Sequence, residues 1–170
     1  MKIKLTNSEI ELSDEDIKTL QKVLKQHEKI QLEDNNFRVN SDGWKKITVD
    51  DEEYLENDTK DIWEILHGEC EGEQLFTFDS MLRETKKAGK RVPTDEEFNE
   101  LEHNDFKNVK YVGFRGISGT FYIRGSYTYF WSSLESSTSA WVRRLFSGYS
   151  VVDCYTYSKA YGFSVRCLKD

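Results

Sequence analysis

The sequence predicts an α+β fold in which short helices precede an antiparallel sheet rich in aromatic residues. Within the first 105 residues, apolar residues recur at helical spacing after capping residues such as Ser13 and Thr94. Beyond Lys107 the chain is rich in Val, Ile, Phe and Tyr, is divided by four glycines between 113 and 125, and shows no helical period. Helices followed by strands, without regular alternation, are typical of α+β proteins.

The first 70 residues show a mixed pattern of strands and helices. Ser13 is a suitable N-cap, and the acidic residues 14–16 that follow it suit the positive N-terminal end of a helix. In chain order, the predicted elements are strands at 2–5 and 9–12, a helix at 14–26, a hairpin at 37–49 that turns at 40–43, and a short helix at 58–66.

Two further helices are predicted before the change of texture. Residues 78–88 form the first, which Gly89 ends because glycine readily adopts the left-handed conformation. Thr94 and Glu97 have the spacing of a capping box, in which each side chain accepts a hydrogen bond from the other residue's backbone N–H. This box opens a helix that runs to about residue 102.

Charge is unevenly distributed along the chain, whose net charge is −7. Residues 1–105 carry 28 acids and 15 bases, whereas residues 106–170 carry 3 acids and 9 bases together with 16 of the 23 aromatic residues. Bases combined with aromatics occur in nucleic-acid-binding surfaces. Here the bases are scattered, with only Arg143 and Arg144 adjacent, so we expect no nucleic-acid partner.

The sequence shows no membrane or export signal. No apolar run approaches the roughly 18 residues of a transmembrane helix. The first residues alternate charged and apolar side chains, unlike the apolar segment of a signal peptide. We therefore expect a protein that is made in the cytoplasm and does not insert into membranes. Incorporation in a virion or display on a surface is compatible with this expectation.

Metal and cofactor sites are not expected. Cys70, Cys154 and Cys167 form no Cys-x-x-Cys or Cys/His cluster, and the odd number argues against a full disulfide framework. The acidic run 50–53 lacks the spaced oxygen ligands and the glycine of a calcium loop, so we interpret it as a solvated turn. The three histidines lie outside any motif.

Three stretches resemble one family. Residues 89–98 resemble the Gly-x-Arg-Leu-Pro-Thr-Glu-Ala-Glu-Trp signature of formylglycine-generating-enzyme domains, 130–135 their Tyr-Trp-Ser-Ser-Thr-Glu segment, and 161–167 their closing strand. The resemblance covers roughly 73–170 and implies a C-type-lectin-like fold: two helices, then a twisted antiparallel sheet with long loops. Residues 1–72 would form an N-terminal extension of unknown role packed on this domain.

The departures from the family decide between binding and catalysis. Formylglycine-generating enzymes oxidise a substrate cysteine with a copper-binding cysteine pair, but Cys154 and Cys167 lie thirteen residues apart, and Cys167 belongs to the closing motif. The calcium-dependent sugar site of C-type lectins needs a proline motif, and Pro93 is the only proline. We therefore expect a binding protein and not an enzyme. An oxidase of the formylglycine-generating type and a fixed carbohydrate-binding module are the alternatives.

The segment 126–160 has the composition of a binding surface. Tyrosine offers rigid contact area, and Ser and Asp offer adaptable hydrogen bonds, as in antibody paratopes; an ordinary exposed sheet edge is the alternative. The segment contains no Asn, but it contains the residue types, such as Tyr, Ser and Asp, that result when adenines in Asn codons are replaced. This composition resembles that of the variable region of diversity-generating-retroelement proteins. A protein or cell-surface ligand, as for a phage or viral receptor-binding protein, would contact nine residues: Tyr127, Tyr129, Arg143, Leu145, Ser147, Tyr149, Asp153, Tyr155 and Tyr157.

Alternation predicts which side chains face the ligand. If 149–157 is extended, its odd positions share one side, and the odd positions 143–147 share a side of a neighbouring segment. We expect all nine residues to be exposed on one surface. We also expect that replacing Tyr149, Tyr155 and Tyr157 together by Ala abolishes binding at little cost in stability. The residues expected to be buried, and to hold the loops rigid, are Trp131, Trp141, Phe146 and Phe163.

Overall fold

The α+β class is confirmed by a computed structural model. Within the described residues the chain forms three α-helices and eleven strands, which pair antiparallel, in two compact units, Met1–Gln31 and Leu32–Asp170. None of the helices among these residues is long and apolar enough to cross a membrane. The structure describes residues 2–5, 8–11, 13–29, 37–39, 42–106 and 108–169, with side chains described in 13–23 and, from residue 37 onward, throughout those ranges.

The N-terminal unit is a hairpin followed by one helix. Strands β1 (Lys2–Leu5) and β2 (Ser8–Glu11) pair antiparallel, and helix α1 (Asp14–Lys29) begins directly after Ser13. The Ser13 hydroxyl accepts a hydrogen bond from the Asp16 backbone N–H at 3.2 Å, and the Asp16 carboxylate accepts one from the Ser13 backbone N–H at 3.0 Å. These contacts confirm the predicted cap, and the helix extends three residues beyond its predicted end.

The larger unit begins with a four-stranded sheet whose first hairpin differs from the prediction. Its strands, in spatial and chain order, are β3 (Lys45–Val49), β4 (Glu52–Glu56), β5 (Ile62–Ile65) and β6 (Glu73–Phe76). The chain turns at Asp50 and Asp51, which adopt positive φ values of 49° and 63°, and Glu52 opens β4. The run 50–53 was predicted to be a solvated turn; Asp50 and Asp51 form this turn, whereas Glu52 and Glu53 belong to β4. Residues 40 and 41 of the turn predicted at 40–43 lie outside the described residues.

The predicted helix at 58–66 is wrong, because this segment contains strand β5. Ile62, Trp63 and Ile65 are all buried, since both faces of the strand are covered. A short continuous apolar run is compatible with a buried helix or a buried strand, so periodicity alone does not separate them. The domain boundary predicted at 72/73 also falls inside this sheet, between the paired strands β5 and β6.

Helices α2 (Phe78–Lys87) and α3 (Asp95–Asn99) confirm the two helices predicted before the aromatic part. Gly89 ends α2 with a φ of +65°. The capping box of α3 is present: the Thr94 hydroxyl accepts from the Glu97 N–H at 3.2 Å, and the Glu97 carboxylate accepts from the Thr94 N–H at 2.9 Å. The α-helical part ends three residues earlier than predicted.

We expect Thr94→Ala to lower the free energy of unfolding by about 1 kcal/mol, because it removes the acceptor for an N-terminal N–H of α3. Chemical denaturation of the two proteins measures this difference. Thr94→Ser, which keeps the hydroxyl, is the matched control and should lose much less. An unchanged denaturation curve for Thr94→Ala would contradict the role given to the capping box.

The aromatic part of the chain forms a small hairpin and a three-stranded sheet. Strands β7 (Phe114–Arg115) and β8 (Phe121–Tyr122) form the hairpin. Strands β9 (Tyr127–Ser136), β10 (Ser139–Phe146) and β11 (Val152–Ser158) form the sheet, with β10 in the centre.

The last segment of the chain joins the two larger sheets. Phe163 exchanges both backbone hydrogen bonds with Phe76 of β6, at 2.8 and 3.0 Å. Ser164 donates its N–H to Tyr129 and accepts from the N–H of Trp131 in β9, at 3.0 and 3.2 Å. Phe163 and Trp131 are fully buried and in edge contact, 4.7 Å between ring centroids, as predicted for both residues. The core therefore lies where the closing segment passes between the sheets.

Candidate ligand-binding face

The register of the C-terminal sheet divides the nine predicted residues between its two faces. Tyr129 of β9, Arg144 of β10 and Asp153 of β11 are direct cross-strand partners, so their side chains share one face. Arg143 pairs instead with Cys154, and these two side chains share the opposite face. We call the first set of side chains the tyrosine face; seven of its members on the strands are Tyr127, Tyr129, Arg144, Phe146, Asp153, Tyr155 and Tyr157. The same face continues into the core through the buried Trp131, Ala140 and Val142.

The predicted exposure of three residues is wrong. Tyr129, Arg143 and Leu145 have relative accessibilities of 3%, 2% and 0%. Arg143 and Leu145 point away from the tyrosine face, toward the layer that holds α3. Tyr129, on the tyrosine face, is part of the core and packs against Phe114, Tyr157 and Phe163. The assumption that odd positions of both strands share a side fails because odd residues of β11 lie opposite even residues of β10.

Arg143 anchors β10 to α3. Its guanidinium lies 2.7 Å from the Asp95 carboxylate and donates to the Asn99 side chain at 2.8 Å and to the Asp95 carbonyl at 3.1 Å. It also contacts the Cys154 thiol and lies over the Phe98 ring, 5.7 Å from its centroid. A buried cation with this many partners is a structural element of the fold, and no ligand reaches it without unpacking α3.

The outer part of the tyrosine face is accessible, in agreement with the prediction for several residues. Tyr149 and Tyr155 expose 69% and 41% of their surface, and Ser147 is exposed. Tyr127, Asp153 and Tyr157 are half-buried. Side chains that are partly buried and partly accessible are held in place by the protein and can still contact a ligand, as a rigid recognition surface requires.

Arg144, which the sequence interpretation did not assign to the surface, lies at the centre of the face. Its Nε and Nη2 both donate to one oxygen of Asp153, at 3.2 and 2.5 Å. The guanidinium lies 4.4 Å from the ring centroid of Tyr155 and 5.3 Å from that of Tyr127. The ion pair and the two rings hold Arg144 in one position, so little side-chain entropy remains to be lost when a ligand binds.

Aromatic contacts extend the face in both directions. On one side Tyr127 stacks on Phe146 at 4.6 Å, and Phe146 contacts Tyr149 at 5.1 Å. Phe146 is half-buried instead of buried, as is Trp141, so the burial predicted for these two residues is wrong. On the other side the contacts run outside the predicted segment: Tyr157 lies 6.4 Å from Phe114, which stacks on the exposed Tyr122 at 5.1 Å.

Phe114 and Tyr122 could not be assigned from the sequence, because they belong to the β7–β8 hairpin, about 30 residues before β11. Their only signal is aromatic character in a glycine-divided segment, which equally fits a core strand. The loop that follows β10 also borders a groove of 430 Å³, lined by residues 101–104 and 150–152. The accessible surface therefore includes neighbours on both sides of the predicted segment.

Tyr129 provides a test of how the face is packed. Burial, with a smaller contribution from Tyr157, raises the pKa of Tyr129 from 10.0 to about 12. An unfolded chain releases this proton near pH 10, whereas the folded chain keeps it, so stability is retained below pH 10 and falls between pH 10 and about 12. The loss across this interval amounts to roughly 2–3 kcal/mol.

We expect Tyr129→Phe to make the free energy of unfolding less dependent on pH in this alkaline range, measured by denaturation at several pH values. Tyr155→Phe, at an exposed position of the same face, is the matched control. If the free energy of unfolding fell equally at alkaline pH in Tyr129→Phe and in the parent protein, this result would contradict the burial of the Tyr129 phenol.

The positive charge of the C-terminal part is largely neutralised within the protein. Arg143 pairs with Asp95, Arg124 with Glu52, and Lys110 with Glu73 at 3.9 Å. Bases of residues 106–170 therefore pair with acids of the preceding part of the same unit. The uneven charge along the chain serves folding, and Arg144 on the tyrosine face is itself paired with Asp153.

The cysteines lie in different surroundings. Cys70 and Cys167 are buried, Cys154 is exposed on the face opposite the tyrosines, and none of the three forms a disulfide. Burial raises the pKa of the Cys70 thiol. Within the described residues no group of three or more His, Cys, Asp and Glu side chains is arranged to hold a metal ion.

No protein-family model, curated protein or solved structure matches this chain.

Proposed function

We propose that this chain is a ligand-binding protein of the diversity-generating-retroelement variable type, whose tyrosine face binds a protein or cell-surface ligand. The observation that carries this proposal is that some side chains of the β10–β11 pair hold the fold, whereas others are accessible to a ligand. On β10, Arg143 and Leu145 are buried against α3, whereas Arg144 between them is partly accessible. On β11, Asp153 and Tyr155 lie beside Arg144 and reach solvent. Accessible residues of such a surface can be substituted without disturbing the buried residues that hold the sheet in place.

The resemblance to C-type-lectin-like domains of the formylglycine-generating-enzyme type gains support from the roles of its three motifs. Arg91 and Glu97 of the first form a bidentate ion pair at 2.7 and 2.8 Å. Trp131 of the second is buried and donates its ring N–H to Phe76. The third carries Phe163, which bridges the sheets. All three motifs act in the scaffold, which fits a family whose members share a fold and differ in their surfaces.

The chemistry of the face favours a macromolecular ligand. Tyr149, Tyr155 and Tyr122 expose their rings, Tyr149 beside Phe146 and Tyr122 beside Phe114. Arg144 and Asp153 place a donor and an acceptor side by side. Tyrosine and arginine are the residues that dominate the energy of protein interfaces.

Tolerance to substitution tests this separation of structural and accessible side chains, and it requires no knowledge of the ligand. In a displayed library saturated at single positions, most replacements of the exposed Tyr149 and Tyr155 should change the free energy of unfolding by about 0.5 kcal/mol or less. Replacements of Asp153, which pairs with Arg144, should cost about 1 kcal/mol or less. Most replacements of Arg143 and Leu145 should cost several times more. Equal intolerance at both sets, read from protease resistance, would contradict a diversified surface.

Binding is tested with a double variant. Tyr149→Ala with Tyr155→Ala should weaken binding to the cell-surface ligand by about a hundredfold or more, because each tyrosine is a candidate hot spot. The triple variant that adds Tyr157→Ala is unsuitable, because Tyr157 packs on Tyr129 and Phe163 at 5.8 and 5.2 Å and its loss would unfold the face. Thr156→Ala, at an exposed position of β11 on the other face, is the matched control.

A copper titration separates this proposal from an oxidase of the formylglycine-generating type. We expect no stoichiometric copper binding to the reduced chain. Binding of one copper per chain that is lost in Cys154→Ala would favour the enzyme.

A further inference from the structure

Helix α1 carries an apolar stripe that remains accessible. Leu20 and Val23 expose 42% and 46% of their surface, and Ile17 is half-buried one turn earlier. These residues recur at the spacing that places them on one side of a helix. The neighbouring positions Lys18, Thr19 and Lys22 are exposed and polar, so the stripe is bounded by water-facing residues.

The unit that contains α1 is short. It comprises Met1–Gln31, with a two-stranded hairpin and one helix. Domains below about 40 residues that fold alone usually need a metal, a disulfide or oligomerisation. The three cysteines of the protein all lie outside this unit, so a disulfide within it is excluded.

The charges of α1 are arranged in two opposite halves. Its first turn contains Asp14, Glu15 and Asp16, whereas the segment 22–29 contains three lysines and one glutamate. Two such helices placed antiparallel bring each acidic half beside the basic half of the other and oppose their helix dipoles. A parallel pair would instead place like charges side by side.

We infer that α1 is a dimerisation element that binds α1 of a second copy of this chain, antiparallel, through Ile17, Leu20 and Val23. The arrangement is a two-fold, self-complementary interface, in which the same stripe is buried on both copies. It gives the stripe an apolar partner and pairs the charged halves. The inference is independent of the tyrosine face, but its consequence is that two such faces are presented together, which increases avidity for a repetitive surface.

Sedimentation equilibrium of the full chain tests this inference. The expected mass is twice that of the 20.0 kDa chain. Leu20→Gln with Val23→Gln keeps good helix formers and should raise the dimer dissociation constant by about tenfold or more, since the interface loses its apolar surface. Thr19→Gln, at an exposed position outside the stripe, is the matched control and should leave the dimer intact. A parent protein that stays monomeric at high micromolar concentration would overturn the inference.

A charge-reversal pair tests the orientation of the charges without altering the stripe. Lys22→Glu with Lys25→Glu makes both halves of α1 acidic, and Asp14→Lys with Glu15→Lys makes both halves basic. Each variant alone should be monomeric, and an equimolar mixture should recover the dimer mass. Dimerisation of either variant alone, or a mixture that remains monomeric while circular dichroism shows a folded chain, would contradict the proposed pairing.

Discussion

Arg143→Ala should lower the free energy of unfolding by about 3 kcal/mol or more, because removal of one partner leaves a buried ion pair uncompensated. The guanidinium is 2% accessible and holds Asp95 and Asn99 of α3 at 2.7 and 2.8 Å. Its loss would leave polar groups of α3 without their partner and open a cavity beneath β10. Denaturant unfolding measures the difference.

Arg144→Ala is the natural comparison, because the two arginines are adjacent in sequence and lie on opposite faces of β10. Arg144 pairs with a partly exposed Asp153, so its removal should cost about 1 kcal/mol or less. Its effect should appear in ligand binding. The assignment of the two faces would be contradicted by the opposite outcome, in which Arg143→Ala is stable but binds poorly and Arg144→Ala is unstable.

Trp131→Ala should be the most destabilising substitution in the C-terminal sheet, with a loss of about 3–5 kcal/mol. Trp131 is 0% accessible, lies in edge contact with Phe78 and Phe163 at 5.4 and 4.7 Å, and donates its Nε1–H to the Phe76 carbonyl at 2.8 Å. Removal of the indole takes away the contact between β9, α2 and the closing segment. Thermal and chemical unfolding should show the loss in parallel.

Two controls define this effect. Trp131→Phe keeps most of the ring contact and should lose about 1–2 kcal/mol, because Phe163 also donates to the Phe76 carbonyl and leaves it satisfied. Trp141→Ala, at a half-buried position of β10, should cost clearly less than Trp131→Ala. Equal losses at the two tryptophans would contradict the placement of the core at Trp131.

Elements with local causes were predicted correctly from the sequence. Ser13 and Thr94 fix helix starts through bonds to residues three positions away, and Gly89 ends a helix through its own backbone conformation. Strand β5 was missed because its state depends on β4 and β6, which cover its edges, and on apolar layers on both faces. No local pattern reports such long-range pairing.

The candidate site shows the same division between local and long-range causes. Alternation along β11 correctly placed Asp153, Tyr155 and Tyr157 on one side. The partner set on β10 was wrong, because the β10–β11 register pairs odd with even positions and so selects Arg144 in place of Arg143. A shift of one residue exchanges the two faces, and the loop geometry that fixes it is not readable from residue types.

Sequencing the 3′ end of this gene across many related isolates tests the central proposal most directly. We expect substitutions concentrated at accessible tyrosine-face positions, including Arg144, Tyr149, Asp153 and Tyr155. They should arise at adenines of a near-identical repeat beside a reverse-transcriptase gene. Arg143, Leu145, Trp131 and the closing segment 161–167 should stay unchanged. Substitutions spread evenly over buried and exposed positions, or a tail invariant among isolates with no such repeat, would contradict a diversified binding face.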